Sequence, residues 1–426
     1  MGNTLILLFF ATLLLGVPVA FTMGMAGIAA IFLDGGLNPL VAAQRMFAGI
    51  DSFPLMAVPF FILASELMTA CRLTDKLLRF ANALVGHLKG GLGHVNILVS
   101  MLFAGISGSA LADAAGPSAI VMRMMRAAGY DKHYAGALSA ATATIGPIIP
   151  PSILMVIYAI STTGVTVAGL FLAGIIPGLM LGLALAVANQ IVSTRAGYRG
   201  QETRASASEL GQATLAALPA IIMPAIILGG ILFGVFTPTE AGAVASAYAL
   251  LLGVVTRKLS WSGLNHAFTQ AAITTASVLL IVAMASVFAW LLTYVRIPQT
   301  LAEMIAQISD NRLVILFILA AFALICGFFI DTLPALIILT PILGPIAASA
   351  GIDPMHFGMM LVLNLTIGMI TPPVGPVLFV IATVGKLRVE SLSKAVLPLL
   401  AAELCVLLLV ILVPELSTFI PNLFGY

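Results

Sequence analysis

Long apolar runs dominate the chain from its first residues to its last. A run of about 20 apolar residues can cross a bilayer as one helix, and such runs recur here with short polar breaks. The apolar segments lie at 4–15, 18–33, 53–70, 92–105, 116–128, 133–163, 167–193, 212–235, 238–256, 265–295, 312–329, 334–349, 354–384 and 389–414. This pattern predicts an all-α protein that crosses a membrane many times.

Three of these segments differ from a simple span. Segment 4–15 is short for a crossing at about 1.5 Å per residue. Segment 133–163 is interrupted by glycine and prolines at 146–151, and segment 354–384 by those at 368–376. Proline removes a backbone donor and clashes with the preceding helical turn, so both segments are predicted to be interrupted helices.

Composition supports this class and excludes others. Of the 426 residues, 61% are hydrophobic and 8% are charged, whereas soluble domains average about 25% charged residues. The net charge of +2 gives no electrostatic basis for binding nucleic acid. Cys71, Cys326 and Cys405 are far apart, so neither a disulfide framework nor a zinc site is predicted. The amino terminus lacks a basic region and a cleavage site, and we interpret it as a retained first helix.

The chain contains an internal repeat. When it is shifted by 222 positions, residues 128–151 align with residues 350–373 without a gap, and 10 of the 24 positions are identical. Shorter matches occur at offsets between 218 and 221. A shared offset indicates duplication, which predicts a first repeat at 1–194, a linker at 195–211 and a second repeat at 212–426.

Charge predicts how the two repeats are oriented. If residue 90 and residues 123–132 lie on one side, 15 of the 18 basic residues collect there, and only Arg45, Arg296 and Arg312 lie opposite. By the positive-inside rule that side is cytoplasmic, which places the linker 195–211 there. This threading requires five crossings in the first repeat, so the second is inverted. It also requires that 92–128 and 312–349 enter and return as re-entrant hairpins.

Inverted repeats with re-entrant hairpins and interrupted helices are typical of secondary transporters, which bind substrate and ions near the membrane midplane. The alternative is a helical bundle whose glycine and proline kinks serve packing alone. Kinks at matching places in both repeats favour the transporter.

The tip of the first hairpin is rich in glycine and small hydroxyls. Ser107, Gly108 and Ser109 provide oxygen ligands and tight turns, and Asp113 provides a charge. Hard oxygen ligands suit a small hard cation. The break that contains Gly146 and Pro147 releases further carbonyls, so a cation is predicted between tip and break. Helix capping is the alternative role for the serines and for Asp113.

The second repeat offers an equivalent set of groups at Gly327–Pro334 and in its own break. The predicted cation ligands of this repeat are Gly327, Asp331, Thr332, Thr366, Gly368, Thr371 and Pro372. Half-helix amino termini can bind anions. The predicted substrate contacts are Ser107, Pro150, Thr332, Pro373 and Gly375.

Other polar residues receive structural interpretations. Glu66 and Glu403 lie in apolar segments without repeat-related partners and are left out of the site. Arg123 and Arg126 fit anchoring at the cytoplasmic end of the hairpin, with a substrate contact as the alternative. The sequence has no Walker A motif, so ATP is not the predicted energy source. It also lacks a G-x-S-x-G nucleophile elbow at the tip.

Five motifs spread over the whole chain carry a family resemblance. They are Leu15-Gly16-Val17-Pro18-Val19-Ala20-Phe21, Pro59-Phe60-Phe61-Ile62-Leu63-Ala64, the tip 105–117, and the breaks 146–151 and 368–376. Together they resemble the large membrane subunit of tripartite ATP-independent periplasmic (TRAP) transporters, in the wider ion transporter superfamily.

This resemblance implies a fold with a scaffold and an elevator-type transport domain that carries the hairpins. It implies sodium-coupled import of an organic acid anion, such as a C4-dicarboxylate, sialic acid or a related sugar or keto acid, across a bacterial inner membrane. Sodium, at two or more sites, would be the coupling ion. The implied partners are a periplasmic substrate-binding protein and a small four-helix membrane subunit, expected as a separate chain because no spare amino-terminal helices are present.

Three other interpretations stay open at this point. A cation-coupled carboxylate carrier of the same superfamily could work without a binding protein. An ion channel also uses re-entrant loops, although its filter usually comes from repeated subunits around a pore. An intramembrane enzyme would need Asp113 and Asp331 to meet as a carboxylate pair.

Overall fold

The computed structural model describes residues 1–201 and 203–426, so Glu202, within the predicted linker, lies outside the described residues. Every regular element in these two ranges is a helix, including a short 3-10 helix at Phe53–Met56. The described α-helices are α1 (Gly2–Leu14), α2 (Val19–Asp34), α3 (Leu40–Ile50), α4 (Ala57–Ala70), α5 (Leu73–Val85), α6 (Gly91–Ser107), α7 (Ala110–Ala115), α8 (Pro117–Ala127), α9 (Lys132–Ala143), α10 (Ile153–Ser161), α11 (Val167–Ala196), α12 (Ala207–Leu232), α13 (Pro238–Val255), α14 (Trp261–Tyr294), α15 (Ile297–Ile308), α16 (Arg312–Phe329), α17 (Thr332–Ser349), α18 (Pro354–Gly368), α19 (Pro376–Gly385), α20 (Val389–Leu412) and α21 (Glu415–Leu423).

The chain is a multi-pass membrane protein. Among the described residues, eight helices are long and apolar enough to cross a bilayer. They are the segment Phe53–Ala70 and helices α11, α12, α13, α14, α16, α17 and α20. The broken helices fall outside this set because each of their halves is only 9 to 15 residues long.

The helices pack as two groups, each drawn from both repeats. We call α1–α4 and α12–α14 the scaffold group, in which α4 packs on α13 and α2 packs on α14. We call α6–α11 and α16–α21 the hairpin group, in which α9 packs on α20 and α11 on both α20 and α21. The helices α5 and α15 lead from the scaffold group into the hairpin group in their respective repeats.

The centre of the hairpin group is formed by α9 and α18, the first halves of the two broken helices. Residues 134–143 and 355–368 are buried without exception. Both helices begin at the repeated aspartate: Asp131 accepts hydrogen bonds from two backbone N–H groups of α9, and Asp353 does the same for α18. The two repeats therefore share the aspartate that caps the first half of each broken helix, as well as the break itself.

The two hairpins reach only as far as the breaks. The arms of the first are α6 and the pair α7–α8, and those of the second are α16 and α17. Their turns lie beside the gaps between α9 and α10 and between α18 and α19, where glycines of tip and break touch. Each tip also packs against the other repeat, because α7 contacts α19 and α17 contacts α10.

The repeats differ most in the scaffold group. The second repeat has one continuous helix of 34 residues, α14, where the first has α3, the 3-10 helix and α4. The interruption falls at Asp51-Ser52-Phe53-Pro54, and Pro54 cannot donate to a helical ladder. Both α3 and α4 pack against α14, so the broken and continuous versions of this element lie side by side.

Candidate functional site

The first tip lies in backbone contact with the first break. Gly108 has φ of +58°, a conformation that disfavours side chains. A Cβ atom there would lie 2.8 Å from the carbonyl oxygen of Pro151, and one on Gly146 would lie 3.2 Å from the backbone of Ser109. A side chain at Gly108 would clash with the break, and one at Gly146 would be tightly packed against the tip, so the backbones of tip and break approach without intervening side chains.

The second tip meets its own break in the same way. A Cβ atom on Gly368 would lie 2.8 Å from the backbone of Gly327. The N–H group of Gly375 donates a hydrogen bond to the carbonyl of Phe328 at 3.2 Å, which ties the break to the tip. The structure therefore brings together the two members of each tip-and-break pair that the sequence singled out.

Both tips face one cavity of about 380 Å³, which we call the tip cavity. It lies where the hairpin group meets α4 and α14 of the scaffold group. Its lining includes the predicted residues Ser107, Gly108, Ser109, Pro147, Asp331 and Thr332. Apolar walls come from Ile62, Ile153, Leu154, Val278, Ile281 and Leu333, among others. A cavity of this size is in the range that small-molecule sites occupy.

The polar groups at the two tips are engaged differently. Ser109 is the N-cap of α7 and accepts a hydrogen bond from the N–H of Ala112 at 3.4 Å. The Ser107 hydroxyl accepts from the N–H of Ser109 at 3.5 Å. Asp331 is the N-cap of α17 but its side chain makes no capping bond, and its carboxyl group lines the cavity.

Several predicted ligands lie behind the cavity instead of lining it. The hydroxyl of Thr366 donates to the carbonyl of Val362 at 2.6 Å, and that of Thr371 donates to Ile367 at 2.9 Å. A hydroxyl that donates once keeps two lone pairs as acceptors, so these threonines remain able to hold a cation within the break. Pro372 is half-buried at the same turn.

The predicted substrate contacts from the breaks do not reach the tip cavity. Pro150 is buried away from it, and Pro373 is exposed elsewhere. The N–H of Gly375 is already bonded to Phe328, so it is not open to an anion in this arrangement. Of the five predicted substrate contacts, Ser107 and Thr332 line the cavity.

Asp113 also lies apart from the tip cavity. Its side chain is fully buried, and neither carboxylate oxygen makes a hydrogen bond among the described residues. The hydroxyls of Ser100 and Ser118, which lie 3.2 Å from each other, are its polar neighbours. Asp113 and Asp331 therefore do not line a common cavity, which removes the geometric basis for a carboxylate pair.

The scaffold group contributes cavity residues that sequence reasoning missed. They are Ser65 and Glu66 on α4 and Thr274 and Ser277 on α14. Glu66 could have been predicted from the sequence, since an ionisable residue inside an apolar segment is a functional candidate by default. It has no repeat-related partner, however, and the repeat pattern therefore does not single it out. The hydroxyls on α14 had no signal, because they follow no motif.

Glu403 supports the first break from behind. It is fully buried on α20 and accepts a hydrogen bond from the hydroxyl of Thr144 at 2.9 Å. Thr144 lies two residues before Gly146, and with Pro177 aligned on Pro398, Gly182 stands at the repeat-related position of Glu403. Glu403 belongs to the second repeat and is thus a positioning residue for the first break, with no counterpart behind the second.

Arg126 has a structural role. Its guanidinium donates to the carbonyl of Gly385, the last residue of α19, at 2.9 Å. This bond joins the end of the first hairpin to the second broken helix, as the anchoring interpretation expects. Arg123 is exposed on the same helix and lines none of the described cavities.

The chemistry of the tip cavity suits hard cations. Its polar groups are hydroxyls, two carboxylates and backbone atoms. Among the described residues, no group of three or more histidine, cysteine, aspartate or glutamate side chains could hold a metal ion. Oxygen ligands without nitrogen or sulfur favour hard cations over soft transition metals.

Comparisons with known proteins agree with this architecture. The sialic acid TRAP transporter large permease protein SiaM of Vibrio cholerae is 43% identical over 413 residues, which are 96% of each chain. The 2,3-diketo-L-gulonate TRAP transporter large permease protein YiaN of Escherichia coli is 38% identical over 403 residues, 94% of each chain. Both relatives are named as large permease proteins of TRAP transporters.

A solved structure shares the fold. The crystal structure of the YdaH transporter of Alcanivorax borkumensis superimposes with a TM-score of 0.62, covering 89% of this chain and 87% of that one at 15% identity. The model of the family described as tripartite ATP-independent periplasmic transporter, DctM component, matches residues 6–416. The chain therefore belongs to the DctM component family of tripartite ATP-independent periplasmic transporters.

Proposed function

We propose that this chain is the large permease subunit of a sodium-coupled importer of organic acid anions. The observation that carries the proposal is the tip cavity, which is lined by both hairpin tips and by two scaffold helices. Transporters with inverted repeats bind their substrates at such a place, between broken helices near the midplane. The names of the two relatives given above, sialic acid and 2,3-diketo-L-gulonate permeases, support an organic acid as substrate.

Sodium would bind where each tip touches its break. In the first repeat the candidate ligands are backbone and hydroxyl oxygens of Ser107, Gly108 and Ser109, opposite Gly146 and Pro147. The close backbone approach at Gly108 supports this, because carbonyls of both segments then lie near one another. Asp113, buried behind the tip, would act on this site only indirectly.

In the second repeat the candidate ligands are Asp331 and Thr332 at the tip and Thr366, Thr371 and Pro372 at the break. The carboxyl group of Asp331 supports an ion here, since it lines the tip cavity and makes no side-chain capping bond. The substrate anion would lie in the tip cavity between Ser107 and Thr332. Sodium would order the tips and the ordered tips would complete the substrate site, which couples the two by linkage.

The movement we propose is of the elevator type. The hairpin group would carry ions and substrate past the scaffold group, with α5 and α15 as the connecting helices. The division of helices into two groups, each with its own internal packing, supports this proposal. The partners would be a small four-helix membrane subunit and a periplasmic substrate-binding protein, in the inner membrane of a bacterium.

The test is uptake of labelled N-acetylneuraminate, 2,3-diketo-L-gulonate and succinate into proteoliposomes that contain this chain with its small subunit. We expect saturable uptake of at least one acid that requires both the binding protein and an inward sodium gradient. Uptake with no binding protein would instead favour the independent carrier. Flux that does not saturate would favour a channel, and equal uptake under a potassium gradient would contradict sodium coupling.

A further inference from the structure

A second cavity continues the tip cavity in the outward direction. It measures about 340 Å³ and we call it the external vestibule; its lining includes Arg45, Ser52, Ser161, Ser286 and Trp290. Three helices, α10, α14 and α17, line both cavities. Leu154, Ile281 and Leu333 face the tip cavity, whereas Ile157, Ala285 and Ile337 face the external vestibule. Residues spaced by three or four lie on one helix face, so the two cavities follow each other along the same faces.

The direction follows from the course of α17. This helix starts at the tip with Thr332 and ends at Ser349, on the side opposite to the basic residues. The positive-inside rule makes that side external. Ile337 lies further along α17 than Leu333, so the external vestibule lies between the tip cavity and the outer surface.

Arg45 gives the external vestibule a single sign of charge. None of the residues that line it is acidic. In the part of the chain that the structure describes, no carboxylate pairs with the Arg45 guanidinium. In the orientation that the positive-inside rule predicts, Arg45, Arg296 and Arg312 are the external members of the 18 basic residues, and of these Arg45 lines this cavity. Arg45 is thus a basic residue on the side of the membrane where basic residues are rare, and no carboxylate pairs with it. This points to an anionic ligand.

Trp290 holds this charge in place. The guanidinium carbon of Arg45 lies 5.0 Å from the centre of the Trp290 ring, within the range of a cation–π contact. Ser52 lies in the same lining, and its hydroxyl caps no helix. An oriented guanidinium beside a free hydroxyl matches the geometry of a carboxylate.

We propose that the external vestibule is an anion-capture site, in which Arg45, held by Trp290, binds the carboxylate of the organic acid before it enters the tip cavity. The proposal rests on the proposed function for the identity of the ligand. The arginine concentrates the anion at the entrance and orients it along α10, α14 and α17. Because the contact is external to the tips, it requires no sodium.

Trp290 provides a direct readout. The chain has two tryptophans, and the other, Trp261, lies exposed at the start of α14. In purified Trp261→Phe protein, reconstituted with the small subunit, only Trp290 of this chain reports. We expect a saturable change in its emission when N-acetylneuraminate or succinate is added in sodium-free buffer, with tryptophans of the small subunit replaced by phenylalanine.

Variants identify the group that binds. Arg45→Gln should weaken the apparent affinity at least tenfold, Arg45→Lys should weaken it less, and Arg312→Gln, which removes an external charge outside the vestibule, should leave it unchanged. Titrations that are flat, or that are identical in Arg45→Gln and the parent, would overturn the proposal.

Uptake separates this proposal from the proposed function. Arg45→Gln should raise the KM for the acid about tenfold while kcat and the sodium concentration for half-maximal uptake stay the same. Loss of kcat at an unchanged KM would overturn the capture role. Anion titration of Trp290 without sodium-driven uptake would refute the proposed function and leave the vestibule standing. Sodium-driven uptake with flat titrations of Trp290 would support the proposed function and refute the anion-capture site.

Discussion

The first tip turns at Gly108 and restarts as the short helix α7, capped by Ser109, whereas the second restarts as the long helix α17 with an uncapped Asp331. Both tips touch their breaks through glycine backbones. The shared backbone contact sets where the tips lie, and the differing side chains set what each offers to the tip cavity. The first offers neutral oxygens, of which the Ser109 hydroxyl caps α7, and the second offers a carboxyl group that caps no helix.

The breaks differ in their support as well. The first is backed by Glu403 through Thr144, while the repeat-related Thr366 bonds only to its own helix. The second is tied to its tip by the bond from Gly375 to Phe328. The two repeats share the backbone contact between tip and break, but different groups stabilise each break.

The largest expected effect comes from filling the backbone contact of the second repeat. A Cβ atom in Gly368→Ala would lie 2.8 Å from the backbone of Gly327, which has no flexible side chain that can move away. Overpacking costs about 1–3 kcal/mol or more, so uptake should fall by about tenfold or more. Initial rates in proteoliposomes measure this.

Two variants serve as references for this comparison. Gly344→Ala, on α17 with open space around it, should retain normal rates. Gly146→Ala meets the Ser109 backbone at the longer distance of 3.2 Å and should lose less activity than Gly368→Ala. An inactive Gly344→Ala or a fully active Gly368→Ala would contradict the account of the contact.

A smaller effect is expected from the support that Glu403 gives to the first break. Glu403→Ala removes one of the two acceptors near the buried Thr144 hydroxyl, the other being the carbonyl of Ala141 at 2.6 Å, and the loss of a buried hydrogen bond costs about 0.5–1.5 kcal/mol. The melting temperature in detergent should fall, while Glu403→Gln, which keeps an acceptor oxygen, should remain near the parent. Equal melting temperatures of the two variants would show that this hydrogen bond does not stabilise the fold.

The smallest effect is expected on the scaffold side of the tip cavity. The Ser277 hydroxyl already bonds to the carbonyl of Ile273 at 2.9 Å, so Ser277→Ala removes little from the site. The KM for the acid should change by about twofold or less, with no change in sodium dependence. A marked shift in sodium dependence would move the ion site from the tips to the scaffold.

Much of the fold could be predicted from the sequence. Hydropathy and charge indicate an all-helical membrane protein with inverted repeats, and five motifs indicate the family; the fold class and the family are confirmed. Helices without a long apolar run are not predicted by hydropathy. They include α3, α5 and α15, whose polar faces interrupt the hydropathy pattern.

The candidate site was predicted in part. Gly108 and Asp331 could be predicted because glycine and proline breaks in the backbone can be recognised from residue type. Both residues line the tip cavity. Glu66 and Ser277 reach the same cavity through helix packing, which the order of residues does not encode locally. Asp113 lies in the tip motif yet is buried behind it, since the short helix α7 turns its side chain inward. The sodium ligands and domain limits stay predictions.

The most direct test of the difference between the tips is the sodium dependence of uptake in Asp331→Asn and Ser109→Ala. Removing the carboxyl group of Asp331 should raise the sodium concentration for half-maximal uptake about tenfold or more. Loss of a helix cap, worth about 1 kcal/mol, should raise it about fivefold at most. Asp310→Asn, an exposed carboxylate near the same hairpin, should behave as the parent. Unchanged sodium dependence in both tip variants, or a larger effect of Ser109→Ala, would contradict the account.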